Sequence, residues 1–120
     1  MKILWVSRHE LSNEQLTDLE RIYGDDVEIV KFQDNVQSAR QLVEVGEDCE
    51  VFAVVLPPAL LADLTNPCVN QKPVIRSVME RVPTGYTNVN PVTGKEEMEM
   101  AMHFVAWEQV DEIRIFTHRL

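Results

Sequence analysis

Four short apolar runs alternate with helix-like segments, and this alternation constrains the fold more than any other feature. The runs at 2–7 and 51–56 are almost continuously apolar, which is typical of parallel strands covered on both faces. The runs at 27–32 and 73–78 are less uniform but have the same length. Strands that alternate with helices through short connectors predict a mostly parallel sheet. We therefore predict a single Rossmann-like α/β domain over residues 1–120, with the order βαβαβαβ and helices on both faces.

The segments between the runs carry the signals of helix starts. Ser12 followed by Gln15 forms the pattern of a capping box, which predicts a first helix immediately after the loop that follows the first strand. A second helix is predicted over 36–45 with Asn35 as its cap, and a third, short one over 59–64.

The last third of the chain has a different pattern. Turn residues are frequent over 83–94, and residues 97–104 alternate between Glu, Ala or His and Met or Phe, which favours a strand. A helix is the alternative there, because Glu and Met are good helix formers. A final strand is predicted over 112–117. The sequence thus predicts a parallel core over 1–82 and an antiparallel hairpin extension over 83–120.

Composition and charge exclude several classes of function. The 120 residues carry 20 acids against 11 bases, a net charge of −9, without a basic cluster. Duplex nucleic acid and anionic membrane are therefore not expected as partners. The chain has no apolar run of membrane-spanning length and no signal-peptide pattern at its start, so we expect a cytoplasmic protein. Its two cysteines are expected to be free thiols.

The loop after the first strand is the best candidate site. Ser7, Arg8 and His9 place a hydroxyl, a planar cation and an imidazole where a buried strand ends and a helix begins. Ligands of open α/β sheets bind beyond the carboxyl ends of the strands, so these side chains suit a phosphate or another anion. The alternative is that Arg8 pairs with a surface acid and His9 only packs.

Residues after the fourth run form a second group of candidates. Arg76 and Arg81 are cations near the end of that strand, and Tyr86 lies in a turn from which it could stack on a base. Arg81 and Tyr86 also have purely structural interpretations. Arg81 can pair with Glu80 on the surface, and the tyrosine can pack as a lid over the core.

Cofactors and metals are not expected. Neither the dinucleotide-binding glycine motif nor the P-loop is present. His9, Glu10, His103 and His118 include no pair with ligand spacing on a common element, so we predict no metal site.

The opening segment resembles a known group of small proteins. A short strand ending in Ser7-Arg8-His9, followed by a capped helix with the pattern Leu-x-x-Glu-Gln-Leu, is similar to the stand-alone CRISPR-associated Rossmann-fold proteins related to CARF sensor domains, the minimal ring nucleases. The similarity covers mainly residues 1–32, with looser agreement over 51–58.

The resemblance implies a homodimer whose two-fold pocket, built from the loops after the first and fourth strands, takes a cyclic oligoadenylate. It also implies metal-independent phosphodiester cleavage, with Ser7, Arg8 and His9 at the phosphate and His9 as acid or base. Arg76 and Arg81 are then the candidates from the second loop.

Two functional classes follow from the sequence. The first is a small nucleotide-binding protein, with binding or cleavage of a cyclic oligoadenylate as its most specific form. The second is a non-catalytic accessory or interaction module that binds a protein partner. The first predicts that Arg8, His9 and Arg76 converge on one open pocket, and the second predicts ion-paired arginines and an exposed apolar patch on the hairpin.

Overall fold

The computed structural model describes residues 1–120 and contains three helices and one five-stranded sheet. The elements are β1 (Lys2–Val6), α1 (Asn13–Tyr23), β2 (Glu28–Phe32), α2 (Ala39–Val45), β3 (Val51–Val54), α3 (Pro58–Leu64), β4 (Val74–Val89) and β5 (Glu96–Gln109). The strand order is β2-β1-β3-β4-β5. Strands β2, β1, β3 and β4 are parallel, and β5 is antiparallel to β4. The predicted α/β class, with a mostly parallel sheet and a C-terminal antiparallel pair, is confirmed.

Two apolar layers cover the sheet, one on each face. Side chains of α2 and α3, among them Leu42 and Leu61, pack with Leu4 and Phe52 on one face. Leu19 of α1 packs on the other face, where the side chains of Ile3, Trp5, Val51, Ala53 and Ile75 meet it. Because β1 and β3 contribute to both layers, all their residues except Lys2 are buried, which explains the continuous apolar runs in the sequence.

The helix starts agree with the sequence at α1 and differ at α2. The capping box of α1 is present: the Gln15 N–H donates to Ser12 Oγ at 3.1 Å, and the Ser12 N–H donates to Gln15 Oε1 at 2.9 Å. The predicted start of α2 at 36 with Asn35 as cap is wrong. Ser38 is the cap, because its Oγ accepts the Gln41 N–H at 3.2 Å, and the helix begins at Ala39.

The C-terminal third forms one long hairpin. Residues 97–104 lie within β5, so the strand interpretation is confirmed and the helix alternative is excluded. Strand β4 continues through Pro83 and positive-φ Gly85, where its pairing register with β5 shifts. The predicted turn over 83–94 is therefore confined to the residues between Val89 and Glu96.

The predicted final strand over 112–117 is wrong. After the Val110 N–H donates to Val74 O at 2.8 Å, the chain leaves the sheet. Ile113 then packs against the apolar layer of α2 and α3, and Arg114 forms an ion pair with Glu112. Alternation alone does not make a strand here, because the segment has no neighbouring strand to pair with.

None of the three helices has the length and apolar character needed to span a membrane.

Candidate functional site

The order of the strands creates a crevice between β1 and β3. After β1 the chain crosses to β2 on one side, and after β2 it returns to β3 on the other side of β1. The connections after β1 and β3 therefore diverge and leave a space beyond the carboxyl ends of these two strands. This is the position at which open α/β sheets bind their ligands.

Two cavities that share a wall occupy this crevice. The first, of about 410 Å³, lies among the loops after β1, β2 and β3. The second, of about 510 Å³, lies among the loops after β1, β3 and β4. Ser7, His9, Val55 and Leu56 line both cavities, so the two form one continuous groove across the carboxyl ends of all four parallel strands.

The loop at the centre of this groove is held by two internal hydrogen bonds. The His9 N–H donates to Ser7 Oγ at 3.1 Å, and Trp5 Nε1 donates to His9 O at 2.8 Å. Ser7 is buried, so its hydroxyl mainly fixes the turn. The imidazole of His9 is exposed between the two cavities and is free to contact a ligand.

Arg8 extends into the first cavity, where its partner is a neutral amide. Its guanidinium donates to Asn35 Oδ1 and forms no ion pair with a carboxylate. A guanidinium has five N–H donors, so several remain available to an anion. Asp34 also lines this cavity and is the one acid in its wall. The alternative interpretation, a surface ion pair of Arg8, is absent, so no ion pair within the chain occupies the guanidinium.

Glu10, the next residue of the loop, binds side chains at the end of strand β2. Its carboxylate binds Lys31, and Gln33 donates a second hydrogen bond at 3.3 Å. The hydrogen bond from Lys31, supported by that of Gln33, holds the pKa of Glu10 below its ordinary value. Glu10 is therefore an ionised acceptor paired with β2, and it does not supply a proton to the groove.

The structure brings only part of the second candidate group to the groove. Arg76 lines the second cavity but forms an ion pair with Glu108, its cross-strand neighbour on β5. Arg81 and Tyr86 lie farther along β4 and line neither cavity. Tyr86 is 72% exposed, so it is not a lid over the core. Ser7, Arg8, His9 and Arg76 are thus the predicted residues that share one site.

Several residues of the groove were not predicted from the sequence as site residues. Asp34 and Asn35 line the first cavity, and Gln15 and Met79 line the second. The position of Asn35 in the sequence could have identified it as a site residue. It follows β2 closely, as Ser7 follows β1, and the carboxyl ends of neighbouring parallel strands meet at one edge of the sheet. No three His, Cys, Asp or Glu side chains come close enough together to hold a metal ion.

The two cysteines differ in accessibility and predict a simple labelling result. Both are free, Cys49 buried before β3 and Cys68 exposed. Burial raises the pKa of the Cys49 thiol, so little of the reactive thiolate forms at neutral pH. We expect a chromogenic disulfide reagent to label one thiol rapidly in the native protein and both in urea. Rapid labelling of two thiols without urea would contradict the burial of Cys49.

Comparisons with known proteins identify no relative of this chain. A scan against protein-family models, a search of curated proteins and a search of solved structures each return no match to this chain.

Proposed function

We propose that the groove between β1 and β3 binds a nucleotide, with phosphate in the first cavity and the base in the second. The observation that carries this proposal is the meeting of two cavities at the loop Ser7-Arg8-His9. Arg8 lines only the first cavity and offers a cation to phosphate, while Met79 lines only the second and offers apolar surface to a base.

The phosphate half of the proposal depends on Arg8 and His9. The guanidinium has an uncharged partner, and the neighbouring imidazole is exposed in the same cavity. Charge-assisted hydrogen bonds from such groups are about twice as strong as neutral ones. A bound phosphate would also lie near Asp34, so Arg8 must offset that negative charge as well as bind the ligand.

The base half depends on the walls of the second cavity. Leu56 and Met79 contribute apolar surface, while Ser12 and Ser77 contribute hydroxyls that can bind the edge of a base. Glu10 and Arg76 also line this cavity, and each is ion-paired with another side chain of the protein. The volume of about 510 Å³ lies in the usual range for small-ligand sites.

The more specific form of the proposal is a cyclic oligoadenylate ligand, as the resemblance to stand-alone CARF-like proteins implies. The mostly parallel sheet with its site at the ends of β1 and β3 supports a Rossmann-like interpretation of the core. If the protein is an enzyme, the ribose 2′-oxygen attacks the adjacent phosphorus and the bond from phosphorus to the 5′-oxygen breaks. The products are a 2′,3′-cyclic phosphate and a 5′-hydroxyl. His9 would take the 2′ proton or supply the 5′ proton, with water serving the other proton transfer and Arg8 on the phosphate.

A binding titration tests the proposal with cyclic tri-, tetra- and hexa-adenylate and with AMP. We expect Arg8→Ala to weaken binding by about tenfold or more, since hydrogen bonds to charged groups contribute about 1.5–3 kcal/mol. Arg40→Ala is the matched control, because Arg40 is an exposed arginine of α2 outside both cavities.

Chromatography of the same mixtures, with and without EDTA, tests cleavage separately from binding. Cleavage that survives EDTA and is lost in His9→Ala establishes the ring-nuclease form. Binding without cleavage leaves a nucleotide sensor. Equal affinities of the wild type and Arg8→Ala, or no binding of any of these nucleotides, would contradict the proposal.

A second candidate function, a non-catalytic interaction module, is favoured by two observations. Arg76 is ion-paired, and the hairpin exposes several methionines. In that case the groove is empty of nucleotide in every titration, and the hairpin carries the function.

A further inference from the structure

The hairpin of β4 and β5 extends well beyond the rest of the sheet. Strand β3 pairs with β4 only at Val74 and Ile75, whereas β5 pairs with β4 as far as Val89. Residues 76–89 therefore extend beyond the paired part of β3, a length of roughly 45 Å at 3.3 Å per residue. We call residues 79–104 the arm. A two-stranded hairpin is only marginally stable by itself in water, so an arm of this length needs a surface to cover it.

One face of the arm is apolar, and we call it the methionine face. Residues that pair directly across antiparallel strands lie on the same side of the sheet. Met79 pairs with Phe104, Arg81 with Met102, Pro83 with Met100, Thr87 with Met98 and Val89 with Glu96. These ten residues form the face. The opposite side of β5 carries Glu97, Glu99 and His103, so charge and apolar surface are separated between the two sides.

The methionine face is uncovered in the single chain. Met98 is 62% exposed and Met102 is 59% exposed, and Met79 and Met100 are also classed among the exposed apolar side chains. Methionines are flexible and polarizable, and exposed groups of them are typical of binding surfaces. A continuous row of apolar side chains on an unsupported hairpin indicates an interface.

The methionine face contains two charges, and they identify the partner. Arg81 lies toward the base of the arm and Glu96 lies at its tip. Neither forms an ion pair within the chain. Because Arg81 is level with Met102, six residues of β5 separate the two charges, or about 20 Å. When a second copy is turned by 180° about the middle of this face, the positive end of each copy lies against the negative end of the other. The face is therefore complementary to itself.

We propose that two copies of this chain dimerise through their methionine faces, with the arms antiparallel and a two-fold axis level with Glu99. This goes beyond the proposed function and does not depend on it. About this axis Met98 packs against Met100 of the second copy. Glu96 lies beside Met102 of the second copy, whose cross-strand neighbour is Arg81. Each unpaired charge therefore meets its opposite once, and the contact occurs twice in the dimer.

The tip of the arm also meets a complementary surface. The turn between β4 and β5 lies about 16–20 Å from the axis. This distance places the turn level with Phe104 of the second copy. There a shallow cavity of about 380 Å³ lies between Phe104 and α1. Asp18 lines it, and its Oδ2 atom is buried without a hydrogen-bond partner. Arg21 already binds the other oxygen, Asp18 Oδ1, at 2.7 Å. The turn carries Lys95, a cation that would lie near the acidic side chains Glu14 and Asp18 of this cavity.

Sedimentation equilibrium with charge-swap variants tests the dimer. The interface is narrow, so we expect a micromolar Kd and measure from about 1 to 500 μM. Arg81→Glu and Glu96→Arg each place like charges together twice, and each should raise the Kd by about tenfold or more. The double variant R81E/E96R exchanges the two charges and should restore dimerisation. Glu97→Arg is the control, because Glu97 lies on the opposite side of the arm.

Circular dichroism confirms that each variant is folded before its Kd is interpreted. Restoration in the double variant, with no effect of Glu97→Arg, establishes the arm interface. A monomeric wild type at 500 μM would overturn the proposal and leave the methionine face to a different protein. A dimer that is insensitive to both single variants, or is not restored in the double variant, would overturn it by placing the interface elsewhere.

Discussion

Replacing Trp5 with alanine is expected to lower the free energy of unfolding by about 3–5 kcal/mol. Trp5 is 2% exposed and packs with Leu19 and Ala53 in the layer beneath α1. Its ring also meets the ring of Trp107 edge to face, with centroids 5.9 Å apart. Alanine therefore leaves a large cavity and removes the aromatic contact between β1 and β5. Urea denaturation followed by circular dichroism measures the loss.

The control for this change is Trp5→Phe, which keeps a ring but removes the indole N–H. That N–H donates to His9 O at 2.8 Å, so the variant separates packing from anchoring of the loop. We expect a smaller loss of about 1–2 kcal/mol, together with weaker binding of the nucleotide proposed for the groove, because the loop carries Arg8 and His9. A loss below about 1 kcal/mol in Trp5→Ala would contradict the central position of this side chain.

Gly46→Ala is expected to destabilise the protein by about 1–3 kcal/mol through steric overlap. Gly46 follows α2 with a φ of −95°, which alanine adopts readily, so backbone strain does not contribute. A Cβ atom at this position would lie 2.2 Å from Cε1 of Phe52 and 3.1 Å from Cδ2 of Leu4. Since Phe52 is fully buried in β3, its ring has little room to move away.

A double-mutant cycle with Phe52→Leu tests this cause directly. The shorter leucine side chain removes the ring atom that the new methyl group would meet. We expect Gly46→Ala to destabilise the Phe52→Leu protein by at least about 1 kcal/mol less than it destabilises the wild type, because the two residues are in contact. Thermal or urea unfolding of the four proteins gives this coupling. Additive effects would show that the glycine is required for another reason.

Much of the fold follows from the apolar pattern, and the differences have local causes. Continuous apolar runs correctly locate β1 and β3, because strands covered on both faces have no polar positions. Asn35 and Ser38 both have side chains that cap helices well. Ser38 is the cap because α2 begins at Ala39, and the sequence pattern alone does not distinguish the two starts. Residues 112–117 alternate like a strand, but pairing depends on neighbours that are distant in sequence. Pro83 is compatible with β4 because the pairing register shifts beside it.

The candidate site was predictable to the same limited extent. A polar loop at the end of a buried strand is visible in the sequence, and the structure places Ser7, Arg8 and His9 in one groove. The partners of Arg8 and Arg76 were not predictable, since Asn35 and Glu108 come from other strands. The length of β4, which carries Arg81 and Tyr86 away from the groove, depends on pairing with β5.

Met79 belongs to two surfaces at once, because it lines the second cavity and begins the methionine face. If the groove binds a nucleotide and the arms dimerise as proposed, a side chain shared in this way couples the two equilibria. When a second arm orders Met79, the wall presented to the base changes, and a bound base changes the surface presented to the second arm. Thermodynamic linkage requires that each event alter the equilibrium constant of the other by the same factor. The concentration of the protein itself would then set how strongly it responds to its ligand.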